Sequence, residues 1–380
     1  MLVYANKLLE WDGWHENRLI TCSEGIITDV SDARDAGAGA DLKAEIVAPG
    51  FFDIHAHGGE GFYPGCYDFE RLSGYLERLA SCGVTDLLMT VAPADGEDEY
   101  RRILSFIHDA MDRQANGSLG GAYIQGVHLE GPFLNPNRCG AMDPARMPAA
   151  SPETYDRWFG TFGDIVRLVT IAPEMPGARE LAAHLLKKGI RVQAGHTDAT
   201  AEQADEAFSW GINSLCHTFN AARPIHHRNP GIVTAALLDP SVYCEAICDL
   251  KHLAAHTLKL IYRMKGPDRM MVISDSGVVT GLADGEYIID GRKYCVQDGT
   301  QRVKGGQTLS GGACYVDGGV RNLVSIGIPV EDALYMASGT PADRIGLPDI
   351  GKIAPGQRAH IAGFDRALTP LFSVIGGWRS

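Results

Sequence analysis

Apolar and polar residues alternate at the start of the chain. "RLITCSEGIITDVSD" does so around Glu24-Gly25, the pattern of a β-hairpin, and residues 1–46 read as short strands and turns. The stretch "SDARDAGAGAD" (31–41) is polar and Gly/Ala-rich, as a loop would be. At about Ile46 the rhythm changes. "IVAPGFFDIHAH" predicts a buried strand. In "YDFERLSGYLERLASCG", Leu72, Tyr75, Leu76, Leu79 and Ala80 keep helical spacing, Asp68 can cap the start and Gly83 can end it. "VTDLLMTVAP" then reads as a strand and "DEYRRILSFIHDAMDR" as a helix. The further strands expected are "AYIQGVHLEG", "IVRLVTIAPE", "IRVQAGHT", "INSLCHTFN", "VYCEAICDL" and "RMMVISDS", with helical stretches such as "GARELAAHLLKKG" between several of them.

Eight strands are thus expected between residues 46 and 276. This alternation predicts an α/β fold, a (β/α)8 TIM-type barrel rather than an open doubly wound sheet. Beyond residue 280, "YIIDGRKYCVQDGTQRV" carries two Asp-Gly turns between alternating residues, a β-ribbon near 285–306. The tail returns to strands. The organisation expected is a small β-sandwich domain built from both chain ends (1–46 with 350–380) flanking a barrel over 47–349 that carries the ribbon as an insertion.

Composition narrows the partners. The chain has 380 residues, 45% apolar and 21% charged, with a net charge of −13, which argues against nucleic acid or an anionic membrane surface. The nine cysteines form no C-x-x-C pair and are too sparse for a disulfide scaffold, so reduced thiols are expected. The start "MLVYANKLLEWDGW" has no basic-then-apolar leader and no apolar run approaches ~18 residues, so a cytoplasmic protein is expected.

In a barrel the chemistry sits at the C-terminal ends of the strands. Here strand one ends in His55-Ala-His57, strand three in Glu130, strand five in His196, strand six in His217, strand seven in Asp249 with His252 shortly after, and strand eight in Asp275. Residues i and i+2 share a face of a strand, so His55 and His57 point together toward the barrel axis, where Asp53 could join them. In "HLEGPFLNP" a lone glutamate, Glu130, closes an apolar strand; a buried carboxylate is costly unless paired or bound to a metal. A ring of histidines around Glu130 suits a divalent ion, zinc first, with iron(II), manganese or cobalt compatible, and one or two ions per chain. Asp275 could take a proton from metal-activated water and pass it to a leaving amine. The loop "HTFNAARPIHHRNPG" adds Asn220, His226, His227 and Arg228, a basic cluster suited to an anionic substrate. The Gly-rich "QTLSGG" could offer backbone amides to a substrate.

The motifs "APGFFDIHAHGGEG", "GVHLEGPFLNP", "AGHTDAT", "CHTFNAARPIHHRNPG", "ISDS" before "GLADGEY", and "LSGG" follow one another as in a known family. Over almost its whole length the chain resembles the N-acetylglucosamine-6-phosphate deacetylases of the amidohydrolase superfamily. The resemblance implies that Glu130, His196 and His217 are the main metal ligands, and that His55 and His57 match a first-strand pair that binds a second metal in some members of the family and is replaced in others. It implies Asp275 as the catalytic acid/base, and Ala141 with Met142 and Asn220 with Ala221 as substrate contacts. Arg228 and His252 would hold the 6-phosphate and the sugar, Asp249 begins the same stretch, and Leu309 lies in a loop over the sugar. One such contact comes from the neighbouring subunit in this family, which implies a homodimer with active sites near the interface. The implied substrate is an amino-sugar phosphate. Thr218 and Ala222 depart from the family's pattern beside the site, so an N-acetylgalactosamine-6-phosphate substrate stays open. So do a cyclic-amide amidohydrolase and a non-enzymatic sugar-phosphate sensor. Cys139 sits in a loop near the site and reads as an ordinary small residue.

Overall fold

A computed structural model of the chain describes residues 1–33, 37–301 and 309–379. Its first four strands are β1 (Leu2–Glu10), β2 (Gly13–Ser23), β3 (Ile26–Asp32) and β4 (Leu42–Pro49). The apolar run around Ile46, expected as one strand, serves two sheets. Its first half finishes β4, where Ile46 and Val47 lie beside Lys7 and Leu8 of β1. Its second half is β5 (Phe51–Ala56). The break falls at Pro49-Gly50: a Cβ on Gly50 would sit 2.1 Å from Thr85 Oγ1, so only glycine passes there.

β5 opens the barrel. It is followed by β6 (Val84–Val91), β7 (Tyr123–Glu130), β8 (Val166–Ile171), β9 (Arg191–Ala194), β10 (Ser214–Leu215), β11 (Tyr243–Ile247) and β12 (Met270–Ile273), eight parallel strands in sequence order. The seam between β12 and β5 is stitched just beyond the strand ends. Asp275 N donates to His55 O (2.9 Å) and His57 N to Ser276 O (2.8 Å). Asp53, expected as a possible companion of the histidines, belongs to this seam instead. Its carboxylate accepts from the Ser274 hydroxyl and backbone amide, and burial pushes its pKa up to about 6 against those hydrogen bonds.

Helices pack outside the strands. The first, Phe69–Ser81, begins as expected with the Asp68 carboxylate accepting from the amides of Glu70 and Arg71. At the N-terminal end of the barrel the helix Gly339–Ile345 sets Ala342 and Ile345 against Phe52, Ile54, Leu88, Leu168, Met271 and Ile273.

The ribbon comprises β13 (Gly285–Ile289), β14 (Arg292–Gln297) and β15 (Thr300–Gln301). Its two Asp-Gly turns have φ of 47° and 76° at Asp290-Gly291 and 53° and 70° at Asp298-Gly299, both left-handed as the tight hairpin turn requires. The rest of the expected ribbon (302–306), Arg34, Asp35 and Ala36 of the expected loop, and Gln307 and Thr308 of "QTLSGG" lie outside the described residues.

The chain then returns through β16 (Ile361–Phe364), β17 (Pro370–Ile375) and β18 (Trp378–Arg379). These join the N-terminal strands in one seven-stranded sheet, ordered β18-β17-β16-β4-β1-β2-β3. It has its own apolar core, including Val3, Leu8, Ile20, Val47, Ile361 and Val374. Among the described residues no helix is long and apolar enough to cross a membrane.

Candidate active site

The residues expected at strand ends are gathered at the C-terminal mouth of the barrel. Glu130 is the last residue of β7, but His196, His217 and Asp275 lie two residues past β9, β10 and β12. There the backbone turns left-handed, with φ of 46°, 21° and 48°. Such a conformation costs a non-glycine residue about 1 kcal/mol or more and persists only where its surroundings fix it. Here they do: Asn135 N donates to His196 O (3.0 Å), Thr218 N to Glu245 O (2.8 Å) and Asp275 N to His55 O (2.9 Å). The turns aim the side chains inward instead of along the strand.

The side chains converge on Glu130. His196 Nε2 and His217 Nε2 lie 3.0 and 2.9 Å from its Oε1 and 3.1 Å from each other. On the other side, His57 Nε2 is 3.1 Å from Glu130 Oε2 and 3.2 Å from His55 Nε2. Asp275 Oδ1 is 3.4 Å from the Nε2 atoms of both His55 and His57. All of these side chains are buried save the edges of His57 and Asp275, which are 20% and 15% exposed and so reach the cavity.

Burial by itself would push the Glu130 carboxyl up; His55, His196 and His217 outweigh it and hold it well below the usual carboxylate range. Burial likewise opposes charge on Asp275, and His55 and His57 overcome it, bringing its pKa to about 2. Both groups are carboxylates at neutral pH.

The donor set fits a divalent cation. His196 Nδ1 lies 2.8 Å from Arg138 O, a pure acceptor, so this nitrogen carries the proton and Nε2 presents a lone pair. His55 Nδ1 lies 3.0 Å from Glu245 Oε2, which fixes the same tautomer. Lone pairs on imidazoles and carboxylates therefore face one another across about 3 Å in two clusters, His55/His57/Glu130 and Glu130/His196/His217, joined by Glu130. Glu130 Oε2 and His217 Nδ1 are buried without a hydrogen-bond partner. Acceptors gathered in this way repel unless a positive charge sits among them, and histidine with carboxylate is a ligand set for a borderline divalent ion.

Above this floor opens a cavity of about 620 Å³. Ala141, Met142, Asn220, Ala221, His252 and Leu309, the residues expected to contact a substrate, line it. Asp249 does not reach the cavity lining. It holds His252 by a 2.7 Å contact to Nδ1 and accepts from the amides of Lys251, His252 and Ala313. Arg228 is also outside the lining; it is exposed, with Nη1 2.8 Å from His227 Nε2. Cys139 is partly exposed, and all nine cysteines are unpaired.

Sequence reasoning missed four contributors. Arg292 and Tyr294 bring the ribbon's β14 to the cavity wall. The ribbon turn docks on the barrel through Arg71 Nη1, 3.1 Å from Asp290 Oδ2, a contact between residues 219 apart that no local pattern announces. Arg146 also lines the wall but is paired with Asp95 at 2.7 Å. The fourth, Glu245, is wholly buried beneath His55 and His217. Its signal was present in "VYCEAIC", one carboxylate in an apolar run, the same signature that singled out Glu130.

Comparison with known proteins bears on this geometry. Residues 46–380 match the amidohydrolase family. Across 96% of this chain and 95% of the relative, the protein is 31% identical to the N-acetylgalactosamine-6-phosphate deacetylase of Escherichia coli O157:H7. It is 32% identical to the N-acetylglucosamine-6-phosphate deacetylase of Rattus norvegicus, over 99% of this chain and 93% of that one. The solved structure of an aspartate-to-alanine mutant of the Mycobacterium smegmatis N-acetyl-D-glucosamine-6-phosphate deacetylase, in complex with N-acetyl-D-glucosamine-6-phosphate, superposes with a TM-score of 0.90 at 31% identity, covering 100% of this chain and 98% of that one. The chain belongs to the amidohydrolase family, and its barrel is the TIM barrel of that family.

Proposed function

We propose that this amidohydrolase removes the N-acetyl group of N-acetyl-D-glucosamine 6-phosphate, giving acetate and D-glucosamine 6-phosphate. The observation that carries the reading is the convergence of His196 and His217 on Glu130, with Asp275 beside them, at the floor of a sugar-sized cavity. The similarity to deacetylases over nearly the whole chain supports the substrate class. The N-acetylgalactosamine-6-phosphate relative, at 31% identity, falls within the 29–32% range of the glucosamine ones, so the galacto epimer is the second substrate to test.

Glu130, His196 and His217 would hold one divalent ion, zinc by preference of its ligands, and His55 with His57 a second. Held by these residues, an ion would polarise the amide carbonyl and lower the pKa of a bound water toward about 7. Asp275 takes the proton of the attacking water as its oxygen bonds to the acetyl carbon. It returns that proton to nitrogen as the C–N bond breaks, so no covalent enzyme intermediate is needed. Asn220, Ala221, His252, Leu309, Ala141 and Met142 surround the sugar. Arg292 offers the phosphate a guanidinium from the ribbon, and His252, held by Asp249, a second polar contact. Arg228, exposed outside its own cavity, suits reaching the site of a second copy, in a homodimer. Unpaired thiols suit a reducing, cytoplasmic setting.

The test is acetate release from both sugar phosphates by metal-stripped protein reconstituted with one ion type at a time. Ion-dependent acetate release supports the reading. Hydrolysis of cyclic amides with none of sugar phosphates, or tight sugar-phosphate binding without turnover at any ion, would overturn it.

A further inference from the structure

Glu245 has no part in the reaction just described, yet it lies directly under the metal-ligand cluster with no exposed surface. Its Oε2 accepts twice, from His55 Nδ1 at 3.0 Å and from the backbone amide of His217 at 3.1 Å. Its Oε1 has no hydrogen-bond partner, and Cys216 Sγ, 3.7 Å from the same His55 nitrogen, completes the pocket. A carboxylate so buried is costly without compensating positive charge. Among the described residues its ion-pair partner is His55, whose other nitrogen looks into the His57/Glu130/Asp275 group.

His55 and His196 differ in a telling way. Each has its Nδ1 proton fixed, His196 by a neutral carbonyl, Arg138 O, and His55 by an acid. A carboxylate behind an imidazole both locks the tautomer and makes the far nitrogen a stronger donor, and removing such a partner typically weakens metal affinity by about 10–100-fold. We infer that Glu245 is a positioning residue that strengthens ion binding at the His55/His57 side of the site, while the Glu130/His196/His217 side does not depend on its charge. The inference rests on the divalent-ion reading above and adds to it an asymmetry between the two sides.

Glu245→Gln separates charge from shape, because the amide can still accept from His55 and from the His217 backbone. Full-length wild type and Glu245→Gln are stripped with chelator and titrated with Co²⁺, following ions bound per chain and the visible d–d spectrum. Circular dichroism confirms that both are folded. Wild type is expected to take two ions. Glu245→Gln is expected to keep the first with its affinity unchanged within about 2-fold and to bind the second about 10–100-fold more weakly. Glu245→Asp is expected to recover part of that loss. The inference is overturned if wild type saturates at one ion, if the Gln variant titrates as wild type, or if both ions weaken together, which would mean that Glu245 only props the His217 backbone. Absence of acetate release by ion-loaded wild type would instead sink the functional reading and leave the titration result standing.

Discussion

Two buried polar layers lie one above the other inside this barrel, and they are built on opposite principles. In the lower layer each donor meets an acceptor. Arg344 Nε donates to Ser214 Oγ (3.0 Å), Ser214 Oγ to Gln193 Oε1 (3.2 Å), and Gln193 Nε2 to Thr170 Oγ1 (3.0 Å). His128 sits between Thr170 Oγ1 (2.8 Å) and Thr90 Oγ1 (3.2 Å), and Thr90 in turn accepts from Ala56 N. Burial, and then the nearby His55, hold His128 well below the ordinary histidine pKa, so it is neutral. One nitrogen of Arg344 is the exception without a partner. In the upper layer acceptor faces acceptor around Glu130, and buried atoms lack partners. A satisfied network stabilises and orients; an unsatisfied one of this density marks the place where a ligand completes it. Rank by burial alone does not tell the two layers apart, since Glu130 and His128 are both buried.

The contrast can be broken by substitution. The largest expected effect is in the upper layer. Asp275→Asn should lower kcat by about 10²–10⁴-fold, the range for loss of a general acid/base, while ion content and substrate binding persist. Stopped assays of acetate with parallel calorimetry read both. Turnover within a few-fold of wild type would remove Asp275 from the proton path. In the lower layer, Gln193→Leu leaves Ser214, Thr170 and His128 short of a partner. It should cost about 1–3 kcal/mol in urea unfolding, with ions per chain unchanged. Loss of ion binding without loss of stability would invert the comparison.

Smaller effects are expected at the rim. Arg292→Ala should reduce kcat/KM for the 6-phosphorylated sugar about 10-fold and leave any hydrolysis of the unphosphorylated sugar unchanged. An equal fall for both would mean that Arg292 only shapes the ribbon. Asp249 is held by protein partners, like the lower layer. Burial opposes its charge, but His252 and the loop amides keep its pKa below the usual value. A folded-state pKa below the unfolded value of about 3.9 stabilises the fold above that pH, and the contribution fades as pH falls through the folded value. The stability deficit of Asp249→Asn, about 1 kcal/mol at pH 7, should therefore shrink below about pH 4 in thermal melts. A deficit independent of pH would assign the effect to packing.

Much of this arrangement was legible in the sequence. Alternation of strand and helix patterns carried the barrel, and His55, His57, Glu130, His196, His217 and Asp275 stood out as polar residues closing apolar runs. Two things were not. Apolar runs carry no sign of which sheet they join, so one strand was read where Pro49-Gly50 divides two. Long-range docking leaves no local period either. The Arg71–Asp290 contact that brings Arg292 to the cavity, and the helix that carries Arg344 to Ser214, depend on closure of the whole chain. Glu245 was different, for its signal was visible. A single carboxylate in an apolar strand marks a buried partner whether or not it touches the ligand.

The decisive measurement is anomalous diffraction from crystals of the ion-loaded protein. A peak about 2.0–2.2 Å from Glu130 and from the Nε2 atoms of His196 and His217 is the expected result. An ion bound elsewhere, with these three side chains engaged only with one another, would contradict the claim that the upper layer is a metal site.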